Sequence, residues 1–561
     1  MGTVEHELRL ARWRLHPRAA LLAAATAERV AYGGVFVLAL VLRLLDLADK
    51  PFHHDESLHA TFSWQLANGA HFLYDPVYHG PVQQYVGATM YFFGGVSDFV
   101  IRLGPALVGT VLVVLPYFLR RQLGTAGALA ASVILAISPS YLYFSRFVRE
   151  DIYTACITLG LIVLTFRFLD RPRRWHPAAI LGLLAVSFAT KETTYITVFI
   201  GGTFFVAVAA RELWQARARG IETRTAPFIG AVRSVGLNAW IWAASAFAFV
   251  FTVLFTFFLL EPQGLRAGLY DAISYWLSQH GVHRGGQPWF YYLVLMPLYE
   301  LPVLLVAAVG IFVALRQRTL FRAFLVWDAV LSVAIYSWAG ERMPWLVLHP
   351  LLPLVLLAGV GFQLLWEQRS RIVRVAALAF AAAGAAVLLY GAVEVSYVHP
   401  ADPAELLVFT QTSADVTGIR AEIAAIDRRL QRTSGRRANV YVDGTGGADW
   451  PWGWYLRDLP WVVVDPAHPE SVKSADALLF VDLDGAPTRK SLLPVLRDYR
   501  VRKFRLREWW IFNQSGASPG DVWRWFVTRE PWSDRGALWA WLYVPTKRPS
   551  AAEAPSEAAR G

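Results

Sequence analysis

The sequence predicts a mainly α, polytopic membrane helix bundle with a C-terminal extracytoplasmic α/β domain, and three observations carry that expectation. Of 561 residues, 55% are hydrophobic and 17% charged, with a mean hydropathy of +0.38, which is too apolar for a soluble chain of this size. Apolar runs near the roughly 20 residues that cross a hydrocarbon core recur as far as residue 395. Beyond Tyr397 the chain turns polar, and short runs rich in β-branched and aromatic residues alternate with turn or helix-compatible segments.

In chain order, residues 1–29 read as a cytosolic basic leader. The first apolar stretch starts near Val30, ends in Arg43 and Asp46, and has no A-x-A-like site after it, so it reads as a retained signal anchor. Candidate spans then run over 30–47, 99–119, 126–144, 152–169, 178–190, 193–210, 237–260, 291–315, 321–338, 346–366 and 373–395, about eleven in all, with 178–190 short for a crossing. Residues 30–397 thus form the transmembrane domain. Residues 398–545 form the α/β domain, with strand-like "ANVYVD", "WVVVD", "ALLFVD" and "VRKFRL", and residues 546–561 form a low-complexity, disordered tail. There is no internal repeat at solenoid period.

Charge sets the topology. The net charge of +11 falls largely in short connections such as "RR" at Arg120, "RPRR" at Arg171 and "RQR" at Arg316. Basic connections of that kind mark the cytosolic side of a cell-membrane protein and favour a lipid bilayer, not nucleic acid, as partner. An odd span count then leaves the N-terminus in the cytosol and everything after Pro400 outside. The single cysteine, Cys156, lies in an apolar run, can form no intrachain disulfide, and reads as a small buried hydrophobe.

With this topology five polar connections share the extracytoplasmic face: "KPFHHDESLHATF" from Lys50, "SRFVREDIY" from Ser145, "KETTY" from Lys191, "SQHGVHRGGQPW" from Ser278 and "AGERMPW" from Ala339. In the first, Asp55 and Glu56 follow Pro51 and open a helix whose Leu58, Phe62 and Leu66 recur every four residues, a face suited to the membrane surface. The two acids serve as helix caps, or one is a general base while its neighbour orients substrate or raises its pKa. Asp55 and His59 stand four apart and, with Glu150 and Asp151, are candidates for a divalent metal such as Mg or Mn, although no complete ligand set follows from the spacing. Arg149, Glu150 and Asp151 form a second acidic motif or an interfacial charge cluster. Lys191 and Glu192 break an apolar stretch, either as an ion pair or to bind phosphate through Lys191. His283, Arg284, Glu341 and Arg342 offer further donor contacts, as do His54, His59 and His79 of the first external connection. "DWPWGWYLRD" gathers Trp450, Trp452, Trp454 and Tyr455, more simply read as packing or docking than as a sugar platform, and "VYVDGTGGADW" lacks the G-x-G-x-x-G spacing of a dinucleotide site.

Taken together, the acidic pair in the first external loop, the helix after it and the acidic motif in the next external loop resemble the GT-C superfamily of polytopic glycosyltransferases, which includes protein O-mannosyltransferases and lipid A aminoarabinose transferases. "HHDESLHA", "YHGP", "FVREDIY", "ATKET", "GQPWFYYL", "PLYE", "SWAGERMPWLVLHPLLPL" and "WPWGWYLRD" are similar, more closely, to the prokaryotic flippase-activity-associated proteins linked to N-glycosylation. The GT-C resemblance implies inverting transfer of a sugar from a polyprenyl-phosphate donor to a glycan, lipid or protein acceptor. Asp55 or Glu56 is then the base, and Glu150 with Asp151 the second motif, which reads Arg-Glu-Asp here and not a spaced D-x-D. The narrower likeness implies instead a flippase or flippase accessory for lipid-linked sugars. The absence of duplicated halves with broken helices favours the transferase.

Overall fold

The computed structural model describes residues 26–546 except 221, 283, 465–471, 473, 484–491, 493, 495, 497 and 511–515, so the leader to residue 25 and the tail from 547 lie outside the described residues. Among the described residues, eight helices are long and apolar enough to cross a membrane: Asp98–Leu123, Asp151–Asp170, Thr194–Arg219, Leu237–Phe255, Tyr291–Arg316, Leu320–Trp338, Pro344–Trp366 and Arg371–Val398. The remaining three expected spans coincide with helix 26–44, which carries Glu28, Arg29 and Arg43, and with the shorter apolar helices Thr125–Ile137 and His176–Phe188.

The bundle is organised around Pro344–Trp366. Of its most apolar window 94% is buried, so this helix meets other helices where its neighbours meet lipid. Small residues let backbones close on it, as is usual where lipid supplies no hydrophobic drive between helices. At Gly310 of Tyr291–Arg316 an added Cβ would lie 1.8 Å from the Leu357 carbonyl oxygen, so any side chain there would push the two helices apart.

After the bundle comes a six-stranded mixed sheet. Its strands are β1 (Thr410–Thr412), β2 (Val440–Val442), β3 (Trp461–Val463), β4 (Ala477–Val481), β5 (Tyr499–Trp509) and β6 (Gly536–Pro545), in the order β1-β5-β6-β4-β2-β3. The strands expected from sequence are β2 to β5. β2 pairs in parallel with β3 and β4, and helix Asp415–Ser434 buries Val416, Ile419 and Ile423 in the same core as β2, β4 and β6. The aromatic run docks this domain on the bundle. Trp452 and Trp454 are buried, Trp454 donates to Asp98 at 3.0 Å and stacks on Tyr91, and the Tyr455 hydroxyl accepts from the Phe52 amide at 2.9 Å.

One expectation needs correcting here. Helix His54–Ala67 does not lay Leu58 and Phe62, two of the three residues of the Leu58, Phe62, Leu66 repeat, on a membrane surface. It is wedged between helix Val82–Gly94 and the outer domain, where Phe62 packs edge-on against Tyr78 and Trp450 and Leu58 is buried. The small residues Ser57, Ala60 and Ser63 permit this, since even Gly87 of the neighbouring helix has no room for a Cβ beside Ser63.

Candidate active site

The five polar connections meet at one end of the bundle. Four of them wall a polar cavity of about 330 Å³ lined by His54, Asp55, His59, Tyr78, His79, Arg149, Arg284, Glu341 and Trp345, with Arg507 entering from the outer domain. The fifth supplies Lys191 and Glu192 to an apolar cavity of about 430 Å³ that adjoins the first through His79 and Glu341.

The start of helix His54–Ala67 separates the two adjacent acids. His53 caps the helix, its Nδ1 accepting from the Asp55 amide at 3.0 Å while the Glu56 carboxylate accepts from the His53 amide at 3.0 Å. Glu56 therefore turns inward, where it also takes Arg102 Nε at 2.9 Å, Arg102 Nη2 at 3.0 Å and the Val148 amide at 3.1 Å. Arg102 spends its other donors on the carbonyls of Leu47, Lys50 and Pro51, so each of its five N–H groups is used. Both side chains are fully buried. Burial alone would raise the Glu56 pKa, but Arg102 and Lys50 outweigh it and hold the carboxyl below its usual range. Glu56 does not line the cavity and is a clamp between the first connection and helix Asp98–Leu123.

Asp55 turns the other way. Its side chain is 23% exposed, lines the cavity and pairs with Arg149. Burial pushes its pKa up, while Arg149, with the neighbouring histidines, pulls it down further, so the carboxyl is ionised. Arg149 lies on the face of Trp345, 4.0 Å from the ring centre, and its Nη2 stands 3.1 Å from His79 Nε2. A guanidinium only donates, so His79 Nε2 accepts and its proton sits on Nδ1, which donates to Glu192 Oε2 at 2.8 Å. Burial, then Lys191 and Arg149, keeps His79 neutral, and burial raises Glu192 to about 8. The Tyr74 hydroxyl donates to Glu192 Oε1 at 3.3 Å. His79 takes a left-handed backbone with φ of 64°, and Gly80 follows because a Cβ there would lie 2.1 Å from the Ala189 carbonyl oxygen. The "YHGP" run thus threads against the connection that carries Lys191 and Glu192.

The second acidic motif divides as well. Arg149 faces the cavity, Glu150 meets His59 Nε2 at 3.1 Å with both groups buried, and Asp151 receives Lys191 Nζ at 2.8 and 2.7 Å and His349 Nε2 at 3.2 Å. Lys191 therefore pairs with Asp151, not with its neighbour Glu192, and is not a free cation for phosphate. Arg342 is likewise committed, donating to the carbonyls of Ser337 at 2.9 Å and Gln287 at 2.7 Å, and it lines neither cavity. Arg284 does line the polar cavity, with Nη2 on the Tyr275 hydroxyl at 2.6 Å. Glu341 lines both cavities, and among the described residues its Oε2 is buried without a partner. His283 lies outside the described residues.

The donor set does not fit a metal. Among the described residues no group of three or more His, Cys, Asp or Glu side chains is spaced to hold one. Of the four candidates, Asp55 is bound to Arg149, Asp151 to Lys191, and Glu150 to His59.

Several site residues were not singled out from sequence. Arg507 donates to His54 Nδ1 at 2.7 Å and to the Trp450 carbonyl at 2.9 Å, and the bulge between Arg505 and Arg507 in β5 re-aims that stretch of strand. Burial, then Arg507, lowers the His54 pKa to about 3. His349 and Arg102 carry a legible signal, lying inside the candidate spans 346–366 and 99–119, since polar groups at membrane depth are usually functional or paired. Trp345 carries none.

The architecture is that of the GT-C fold. The dolichyl-phosphate-mannose-protein mannosyltransferase family matches residues 78–220. The chain is 26% identical over 348 residues to undecaprenyl phosphate-alpha-4-amino-4-deoxy-L-arabinose arabinosyl transferase 1 of Pseudomonas fluorescens, a match over 59% of this chain that spans 58% of that relative. Among solved structures, apo ArnT from Cupriavidus metallidurans superposes with a TM-score of 0.58 at 15% identity, over 86% of this chain and 96% of that one. The Archaeoglobus fulgidus oligosaccharyltransferase does so at 0.51 and 13%, over 81% and 69%. At those identities the likeness is one of fold.

Proposed function

We propose that the chain is an inverting glycosyltransferase that moves a sugar from a polyprenyl-phosphate donor to an acceptor on the extracytoplasmic face, with Asp55 as general base. The observation that carries this is the division between the two acids. Asp55 is the carboxylate of the pair open to the cavity, whereas every acceptor site of Glu56 is occupied. The likeness to the arabinosyl transferase, whose name specifies an undecaprenyl-phosphate-linked sugar, and to ArnT, also solved with undecaprenyl phosphate bound, supports the donor class.

The chemistry balances as follows. An acceptor hydroxyl oxygen bonds to the anomeric carbon as the bond to the donor phosphate oxygen breaks. The proton goes to Asp55 and the electron pair leaves with the phosphate. That phosphate is already ionised, so its departure needs positive charge more than a general acid. Arg149 and Arg284 line the cavity and supply it. Arg149 has a second role, because the pair it makes with Asp55 holds that carboxyl too acidic to be an effective base. A phosphate arriving on Arg149 weakens the pair, and burial then raises the Asp55 pKa toward the range a general base needs. The adjoining apolar cavity, walled by Tyr195, Ile196, Ile273, Trp276 and Leu277, suits the first isoprene units of the donor.

The test offers purified protein a labelled polyprenyl-phosphate sugar and a crude envelope extract as acceptor. Transfer of label to the extract supports the proposal. Donor binding with no transfer across several sugars and extracts, together with protein-dependent lipid scrambling in liposomes, overturns it in favour of a flippase or flippase accessory.

A further inference from the structure

At the far end of the bundle lies a second charged cavity, of about 390 Å³, built where helices Asp98–Leu123 and Asp151–Asp170 end. Asp151 belongs to the acidic site and Asp170 lines this cavity, so 20 residues of helix, about 30 Å, separate the two. The cavity therefore opens at the opposite membrane face.

Its lining is rich in arginines. Arg121, Arg167, Arg171 and Arg173 share it with one carboxylate, Asp170, which is already taken by Gln122 Nε2 at 2.7 Å and by Arg121 at 3.8 Å, while Arg120, also on the lining, pairs with Glu28 at 3.8 Å. Among the described residues, Arg167, Arg171 and Arg173 have no carboxylate within ion-pair distance. Like charges gathered round one space repel each other and are costly without an anion to share. Loose arginines scattered round the helix ends would satisfy the topology signal just as well, so the signal does not explain a cavity. The rim is aromatic: Trp175 is 52% exposed, Phe118 is 43% exposed, and Arg167 lies 5.5 Å from the Phe118 ring centre. Exposed rings beside cations at the end of a span mark headgroup depth.

We propose that this cavity binds the phosphodiester headgroup of an anionic phospholipid, with Arg167 and Arg173 as principal contacts. The shared chemistry with a soluble phosphate is the anion, and the aromatic rim at headgroup depth selects the lipid.

Native mass spectrometry of the full chain in detergent, titrated with phosphatidylglycerol or phosphatidylcholine, tests this. Phosphatidylglycerol should be retained and phosphatidylcholine not. Arg167→Gln and Arg173→Gln should each weaken retention by about fivefold, near the value of one cation at a lipid surface, and both side chains are exposed, so folding survives. Arg374→Gln, on a helix that does not line the cavity, should leave retention unchanged. Equal retention of the two lipids, an effect of Arg374→Gln as large as the others, or displacement of phosphatidylglycerol by millimolar inorganic phosphate would overturn the proposal.

Discussion

If Glu56 is a clamp, breaking it must cost stability before it costs chemistry. Glu56→Gln keeps the shape of the side chain but leaves the Arg102 guanidinium, fully buried, without its counter-charge, and turns an amide NH2 toward donors on Arg102 or His53. Removing one partner of a buried pair costs about 3–5 kcal/mol, because the remaining charge stays desolvated. That is a large share of the ~5–15 kcal/mol by which folded domains are stable. Arg102→Met should cost a similar amount, leaving the carboxylate buried and the carbonyls of Leu47, Lys50 and Pro51 short of a donor. Replacing both partners by apolar groups of similar size is far milder, so Glu56→Leu with Arg102→Met should cost less than the sum of Glu56→Leu alone and Arg102→Met alone, with a coupling of about 2–3 kcal/mol. Thermal unfolding of wild type, these three proteins and Glu56→Gln in one lipid nanodisc preparation reads this directly. Additive losses, or a Glu56→Gln protein that melts like wild type yet transfers no sugar, would refute the clamp and return Glu56 to the chemistry.

Three further outcomes follow from the same geometry. Burial raises Glu192 to about 8, above the ~4.3 of an unfolded chain. A carboxyl that holds its proton more tightly in the fold stabilises fully below the unfolded value and loses that contribution as pH rises through the folded one. Wild-type thermal stability should therefore fall between about pH 4 and pH 8 relative to Glu192→Gln and level off above about pH 8, and equal slopes across that range would show that Glu192 does not titrate there. Arg507→Gln removes a charged donor from His54 and from the Trp450 carbonyl and should lower stability by about 1.5–3 kcal/mol and transfer by about ten- to a hundredfold, read by melting temperature and by the transfer rate of the folded protein. Trp454→Ala empties a buried site at the docking surface and removes the bond to Asp98, costing about 3–5 kcal/mol. Amide exchange over 450–456 should accelerate more than exchange within the Pro344–Trp366 helix.

Much of the fold was legible because apolar runs of span length can do little else in a chain this hydrophobic. The convergence of five polar connections was legible for a related reason, since the alternation of basic and less basic connections sorts loops by side. Strands β1 and β6 were not. Three residues give no period for β1, and in "GALWAWLYVP" both faces are apolar, Leu538, Ala540 and Leu542 on one and Trp539, Trp541 and Tyr543 on the other, which hides the alternation. The pairing within the site was also out of reach. Asp55 and Glu56 are indistinguishable in sequence, and their roles part only because Arg102 arrives from helix Asp98–Leu123 and Arg149 from the next external connection. Lys191 reads as the partner of adjacent Glu192, yet it finds Asp151 across the bundle, with His349 arriving from nearly two hundred residues further on. Helix His54–Ala67 misled for a different reason. A three-residue apolar repeat suggested a lipid face, but the outer domain covers that face, and nothing local announces a distant lid.

In the proposed reaction Asp55 takes the proton while Glu56 holds the loop. The most direct measurement is single-turnover transfer from a saturating polyprenyl-phosphate sugar by wild type, Asp55→Asn and Glu56→Gln, with donor affinity and melting temperature taken on the same preparations. Asp55→Asn should melt close to wild type, bind donor at least as tightly because Arg149 is released to the phosphate, and transfer about 10²–10⁴ times more slowly. Glu56→Gln should lose stability, and whatever fraction stays folded should transfer at a rate near wild type. An Asp55→Asn protein that transfers at the wild-type rate, or folded Glu56→Gln that binds donor and does not turn over, would contradict the account.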